Sequence, residues 1–445
     1  MSARFQNVDR HTPMFLPPTI QEWVREDDLA HFILEALAEM DLSSAVTNER
    51  GSGDAQYPPM MMMAVLVYCY AHGIMSSRHI EQATYQNVAV RFLSADLHPD
   101  HDSIASFRRR NSVLFRSVFV QLLQLAKRSG LLKLGTLAVD GTKIEAAASK
   151  RQTYGRSALE EELANLDKQV EALLIAAEAA DQQGKGEVGL PRELANAQAR
   201  REKLRAARAE LLAQVEDLEA AQRSKAADPQ RPGGARARSS AGLDPAQQKV
   251  NLSDPQSALT PSHKGFVQGY NAQIVVEVDD PCGLIVAAEV VRDTSDKQQL
   301  EPMITQAVEN LGQAPRMVLA DAGYENFLQC QRLEKRFSIE FLIPPVPSAS
   351  AKKEGPRRGR KMAWEQKRQE NRVAMKTRLA QPEGRARYRR RGATVEPAIG
   401  TLKTKIRMRR FQGRGRMHVS NEWTLACLAF NCCRLVVRRA KKQKD

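Results

Sequence analysis

Aromatic side chains are scarce in this 445-residue chain, at 5%, which argues against a single-strand nucleic-acid binder built from stacking platforms. Long apolar runs are missing too. The longest, residues 60–71, stops well short of the roughly 20 residues that a membrane span needs. The opening Met1-Ser-Ala-Arg-Phe-Gln-Asn lacks the apolar centre of a secretory signal. The six cysteines (Cys69, Cys282, Cys330, Cys427, Cys432 and Cys433) contain no C-x-x-C pair. A zinc site of short-spaced ligands is therefore excluded, and the cysteines read as reduced core residues of a cytoplasmic protein. No internal repeat is evident.

Acid is in deficit: 67 Lys+Arg stand against 52 Asp+Glu, a net charge of +15 and a pI near 9.6. Such a balance calls for a polyanionic partner. With stacking residues scarce, contacts to duplex phosphates are the expectation.

Apolar spacing of three and four predicts helices from Leu16 to about Val120, with starts near Ser76-Ser77 and at Asp102-Ser103. The last of these ends in Arg108, Arg109 and Arg110, a cluster that suits a groove-reading helix and equally a solvated face. A short strand, 136–142, then ends in Asp140. Leu159, Leu163, Leu166, Val170 and Leu173 form an a/d seam, and Leu204, Leu211, Val215 and Leu218 a second stripe after a break at 184–191. Together they predict an antiparallel coiled-coil hairpin. Residues 228–247 read as a linker.

A β-hairpin is expected from 269–278 and 284–291, then a helix over 297–311 and a strand over 317–321. A helix over 325–336 and a strand over 339–343 follow. The Pro-, Gly- and Arg-rich stretch from 344 to about 387 reads as unpacked, with helices over 394–408 and 423–437 closing the chain. This order gives an α/β fold with a mixed sheet, the hairpin inserted after its first strand. Residues 1–130 form a helical DNA-binding domain; 131–150 and 265–412 a catalytic domain; 151–225 the insertion; 226–264 a linker; and 413–445 a C-terminal helical segment.

Two strands end in an aspartate, Asp140 and Asp321, and open α/β sheets place their sites at such ends. Glu396 is the only acid among the twelve Lys and Arg between Arg385 and Arg416. A lone carboxylate in a cationic field suits a metal held against phosphate, and Lys403, seven residues on, shares its helix face. Each residue has a plainer reading. Asp140-Gly141 is a turn dipeptide, Asp321 a helix cap, and Glu396 an acid favoured by a helix dipole. Asp254 and Asp296 read as structural caps, and His263 as loop.

Several segments carry a family resemblance: Tyr57-Pro-Pro-Met, Ser76-Ser-Arg-His-Ile and Pro99-Asp-His-Asp-Ser-Ile-Ala-Ser-Phe-Arg108 in the first third; then Val139-Asp-Gly-Thr-Lys143, Gln268-Gly-Tyr-Asn-Ala-Gln273, Ala320-Asp-Ala-Gly-Tyr324 and Val395-Glu-Pro-Ala-Ile-Gly400. Together they resemble the DDE transposases of bacterial insertion sequences, in the group with a Y-R-E-K signature. The resemblance implies a ribonuclease-H-like catalytic domain with Asp140, Asp321 and Glu396 as metal-binding triad. Tyr388, Arg391 and Lys403 match the signature residues. Four residues separate Arg391 from Glu396, where the familiar signature has three. The implied chemistry is two-metal phosphoryl transfer with Mg²⁺ or Mn²⁺: strand hydrolysis at the element's end, then attack of the freed 3′-hydroxyl on a target phosphodiester. Implied partners are double-stranded DNA, as terminal inverted repeats and target, and a second copy of the chain, with Arg108 to Arg110 candidate groove contacts.

Overall fold

The computed structural model describes residues 18–47, 55–182, 190–226, 247–262, 265–346 and 363–442. Among the described residues seven helices lead: α1 (Ile20–Trp23), α2 (Leu29–Ala38), α3 (Pro59–Ala71), α4 (Ser77–Gln86), α5 (Val88–Leu93), α6 (His101–Arg110) and α7 (Ser112–Arg128). From Met61 to Ala71 every residue of α3 is buried. A helix apolar on all sides has no solvent face and becomes the centre around which the others pack. The cap of α6 lies earlier than the expected Asp102-Ser103: the Asp100 carboxylate accepts the Ser103 N–H.

Strand β1 (Thr136–Glu145) runs three residues past its expected end, because its antiparallel partner β5 (Gly265–Glu277) stays paired out to Glu145↔Gly269. Asp140 therefore sits in mid-strand. Two short strands that the sequence hid, β2 (Thr153–Gly155) and β3 (Lys249–Asn251), pair with each other. Between them in the chain come α8 (Arg156–Gln182) and α9 (Leu190–Ala226). These helices pack through Leu159, Leu163, Leu166 and Val170 against Leu204, Ala207 and Leu211, a cluster separate from the main core. Ion pairs Arg200–Glu162 at 2.6 Å and Arg205–Asp167 at 3.3 Å flank the seam. The break expected at 184–191 falls largely outside the described residues, as do His263 and nearly all of the 228–247 linker.

The sheet continues with β4 (Ala258–Ser262), β6 (Ile285–Val291), β7 (Met317–Leu319) and β8 (Glu340–Leu342), interleaved with α10 (Leu300–Leu311) and α11 (Phe327–Phe337). Its order is β6-β5-β1-β7-β8, with β4 extending the β6 side of β5. Pairs are antiparallel on the β5 side of β1 and parallel on the β7 side. Residues 268–277 are all buried, so helices cover both faces of β5.

Three helices close the chain: α12 (Ala363–Ala380), α13 (Pro382–Thr404) and α14 (Arg416–Lys442). The stretch from 344 to 387, expected as unpacked, is helical over most of its described part. Its many cations conceal an inward set, Met375, Leu379 and Tyr388, that packs on the core. Helix α14 joins the halves of the molecule, packing on α3, α7 and β6. Asn431 of α14 both accepts from the Ile285 N–H (2.9 Å) and donates to the Ile285 carbonyl (2.8 Å). That pairing covers the backbone of β6, where strand partners run out. One core consequently runs from Val24 to Leu435. All six cysteines are free, and among the described residues no helix is long and apolar enough to cross a membrane.

Candidate active site

The sheet register builds the site. Strand β7 pairs parallel with β1 as Thr136↔Met317, Leu137↔Val318 and Ala138↔Leu319. Two residues further along each segment stand Asp140, still within β1, and Asp321, just past the end of β7. The Asp140 carboxylate accepts from the Gly141 N–H (2.9 Å), and that of Asp321 from the Gly323 N–H (2.8 Å), which caps the short turn Ala322–Tyr324.

Arg391 of α13 bridges them. Its guanidinium lies 2.9 Å from Asp140 and 3.9 Å from Asp321, with the arginine side chain only 11% exposed. Tyr388, one turn earlier, lies near Arg391, and burial raises its hydroxyl above the usual phenol range. Burial also dominates at Asp140, whose carboxyl is pushed up to about 6; Arg391 opposes the rise, while the like charges of Asp321 and Asp296 add to it.

This shift makes stability depend on pH. Folded Asp140 holds its proton more tightly than unfolded Asp140, so its contribution is complete below about pH 4 and is lost as pH rises through about 6. Two pK units correspond to about 3 kcal/mol. Urea melts should show wild type losing about that much relative to Asp140→Asn across this window, and a pH-independent difference refutes the burial argument. Glu277, buried at the β5–β6 turn and pushed up to about 8, extends the loss to higher pH in both proteins.

A polar network supports the pair from the sheet. Asp296 accepts from Asn271 Nδ2 and Gln273 Nε2, each at 2.8 Å, and lies 3.9 Å from Lys143 Nζ. The Tyr324 hydroxyl donates to Gln273 Oε1. A β-carbon at Gly141 would stand 2.2 Å from Gln273 Nε2 and 2.7 Å from Asp296 Oδ1, so the network closes only over glycine. Asp296 is not the cap it was expected to be: Ser295 caps the short turn Asp296–Gln298, and the Asp296 carboxylate serves this network. Sequence reasoning gave Asn271, Gln273 and Tyr324 no role. The signal was available: two amides at alternate positions on one face of an otherwise apolar strand.

The remaining expected residues are dispersed. Glu396 is exposed, its carboxylate folded back over Gly392, where a β-carbon would lie 3.3 Å from Oε1. Five residues along a helix turn the side chain by about 140°; with Arg391 facing the aspartates, Glu396 faces away. Asp140, Asp321 and Glu396 thus do not converge within a few ångströms: among the described residues, no three Asp, Glu, His or Cys are grouped to hold a metal. Lys403 is half-buried on the Glu396 face, and desolvation, with Arg409 nearby, pulls its ammonium below the usual range. Arg108 turns inward, donating to the Tyr70 hydroxyl (3.1 Å), the Met75 carbonyl (2.7 Å) and Ser77 Oγ (2.9 Å). Its guanidinium fixes the start of α4 rather than facing a groove, while Arg109 and Arg110 are exposed. Asp254 is structural as expected: wholly buried, it accepts from the Tyr270 hydroxyl (2.7 Å) and from Gly415 N–H (3.1 Å) just before α14.

Two family descriptions match the chain. Residues 245–432, holding Asp321, Arg391 and Glu396, match the Transposase DDE domain, and residues 18–110 match the Transposase domain (DUF772). Together they span well over half of the sequence. No curated protein and no solved structure matches it.

Proposed function

The chain belongs to the DDE transposases of insertion sequences, and we propose from that premise that it binds its element's terminal inverted repeats as duplex DNA and there cuts and transfers strands. Asp140 and Asp321 are the metal-holding acids we assign; Glu396, the third that the resemblance implies, faces away from them in this structure. The observation that carries this reading is the Asp140–Asp321 pair, aligned by strand register and already bridged by a cation, Arg391. The strand order, antiparallel on one side of β1 and parallel on the other, supports a ribonuclease-H-like catalytic domain with α8 and α9 as its inserted hairpin.

The donors fit Mg²⁺ or Mn²⁺. Carboxylate oxygens are hard ligands, and Mg²⁺ is commonly held by one or two carboxylates together with substrate phosphates. Two such ions, once bound, activate water and stabilise the attacking and leaving oxygens of an in-line displacement. The chain's own residues do the rest. Asp140 and Asp321 supply adjacent negative charge, Arg391 faces the phosphate at that pair, and Lys403, on the other face of α13, is a further cation for the DNA backbone. Tyr388 lies beside the Arg391 guanidinium and helps keep the reacting groups in line. Arg109 and Arg110 contact the repeat, positioned by the inward anchor of Arg108. Two ends to be joined call for two copies of the site, hence a homodimer on DNA.

Full-length protein is expected to nick a duplex carrying the terminal repeat in Mg²⁺ and to leave it intact in EDTA. Cleavage undiminished by chelator overturns the reading. A duplex bound but uncut in either metal identifies an inactive DNA-binding derivative, and cutting without joining a metal-dependent nuclease.

A further inference from the structure

Between α13 and α14 the chain alternates. Ile406, Met408 and Phe411 are buried, while Lys405, Arg407, Arg409, Arg410, Arg414 and Arg416 are exposed. Residues 405–416 contain no acid. A looped backbone sets this alternation, with the Ile406 N–H donating to the Thr401 carbonyl (3.1 Å) and the Met408 N–H to the Leu402 carbonyl (2.8 Å), so that apolar side chains turn in and cations out. The segment is also stitched to the far end of β1: the Glu145 N–H donates to the Arg409 carbonyl (3.1 Å), and the Phe411 N–H to the Glu145 carbonyl (2.9 Å).

The guanidiniums are held as well as displayed. Arg409 Nε donates to the Lys403 carbonyl (3.1 Å), Arg410 Nε to that of Ala146 (3.2 Å) and Arg414 Nε to that of Ala147 (3.0 Å). Each bond uses one N–H of five, and these three side chains remain exposed. Arg407 has φ of 62°, the left-handed region that favours glycine. Gly73 makes room for its stem, since a β-carbon there would stand 2.9 Å from Arg407 Cδ. An arginine is kept where the backbone suits glycine, which points to the side chain as the reason.

The two ends of the row are informative. One is α13, which carries Arg391. The other meets α6 at a cavity lined by Arg109, Gln412, Gly413, His418 and Asn421, where Asn421 Nδ2 donates to the Arg108 carbonyl (2.9 Å). Buried Glu422 accepts the N–H groups of Gln412 and Gly413 and fixes this end. The row thus starts where α13, the helix that carries Arg391, ends, and finishes beside the exposed Arg109.

We infer that residues 405–416 are a pre-ordered cationic track for the phosphate backbone of duplex DNA, setting the distance between repeat-binding helices and cleavage site. The inference rests on the DNA-processing reading above and adds the surface along which the duplex lies. Because the backbone is already fixed, little ordering cost accompanies binding. Because phosphates alone are touched, the track positions without reading sequence.

Salt titrations of full-length protein against a fluorescein-labelled duplex of arbitrary sequence test it. Each phosphate contact contributes about 0.9 to the slope of log affinity against log salt. The triple variant Arg407→Gln, Arg409→Gln, Arg416→Gln should lose about 2 to 3 from that slope. Removing the same charge from α9 (Arg192→Gln, Arg208→Gln, Arg223→Gln) should leave it unchanged, and lysine at the three track positions should preserve it. A glutamine variant with the wild-type slope, or a lysine variant as impaired as the glutamine one, overturns the track while leaving DNA processing standing. Wild-type protein without salt-dependent duplex binding overturns the DNA reading itself.

Discussion

Asp140→Asn and Asp321→Asn will each lower Mg²⁺-dependent cleavage of a terminal-repeat duplex by on the order of 10³-fold, since metal stabilisation of transition-state charge amounts to several kcal/mol and each 1.36 kcal/mol is tenfold in rate. Asparagine is close to isosteric, and its Oδ1 can still accept the Gly141 or Gly323 N–H that the aspartate accepts now. The backbone at both sites is therefore retained and the loss reports charge, not unfolding. Asp254→Asn provides the contrast. That carboxylate serves Tyr270 and Gly415, so its replacement should reduce stability while leaving cleavage by the surviving folded protein near normal. Either active-site variant cutting within tenfold of wild type, at an unchanged melting temperature, would remove that aspartate from the assigned metal set.

Arg391→Gln carries the second large effect, a stability loss of about 3–5 kcal/mol, the usual consequence of deleting one partner of a buried ion pair. Asp140 and Asp321 have side-chain exposures of 15% and 42%, so the uncompensated charge falls mainly on Asp140. The loss should deepen as pH rises through about 6, where Asp140 ionises. It should shrink in millimolar Mg²⁺ or Mn²⁺, because a divalent cation supplies the missing positive charge. Arg391→Lys is expected to fall between, since a single ammonium cannot reproduce the planar fork that reaches both carboxylates. Urea midpoints with and without divalent cation measure all of this. Equal loss in the presence and absence of the cation would separate the arginine from the metal position.

The aspartates were legible in the sequence because each follows a short apolar run, although β1 continues past Asp140 to Glu145. Their adjacency was not: it comes from the register between Thr136 and Met317, residues far apart in the chain. Strands β2 and β3 stayed hidden for the same reason, as short segments separated by two long helices. Composition misled at 344–387, where arginines and prolines outnumber the few inward residues that make α12 and the start of α13 helical. Arg108 misled in the opposite sense. An arginine at a helix end reads as a surface cation, and only the tertiary fold places Tyr70, Met75 and Ser77 around its guanidinium. Glu396 was identifiable by residue type and spacing to Lys403, yet the one extra residue after Arg391 turns it to another face of α13.

Directly after Glu396 comes Pro397, inside α13. A proline there has no N–H for the carbonyl of Ala393, and its ring crowds that turn. That missing bond leaves a weak point in α13 between the turn that holds Arg391 on the aspartates and the turn that carries Lys403, the place where this helix can bend without disturbing the arginine bridge.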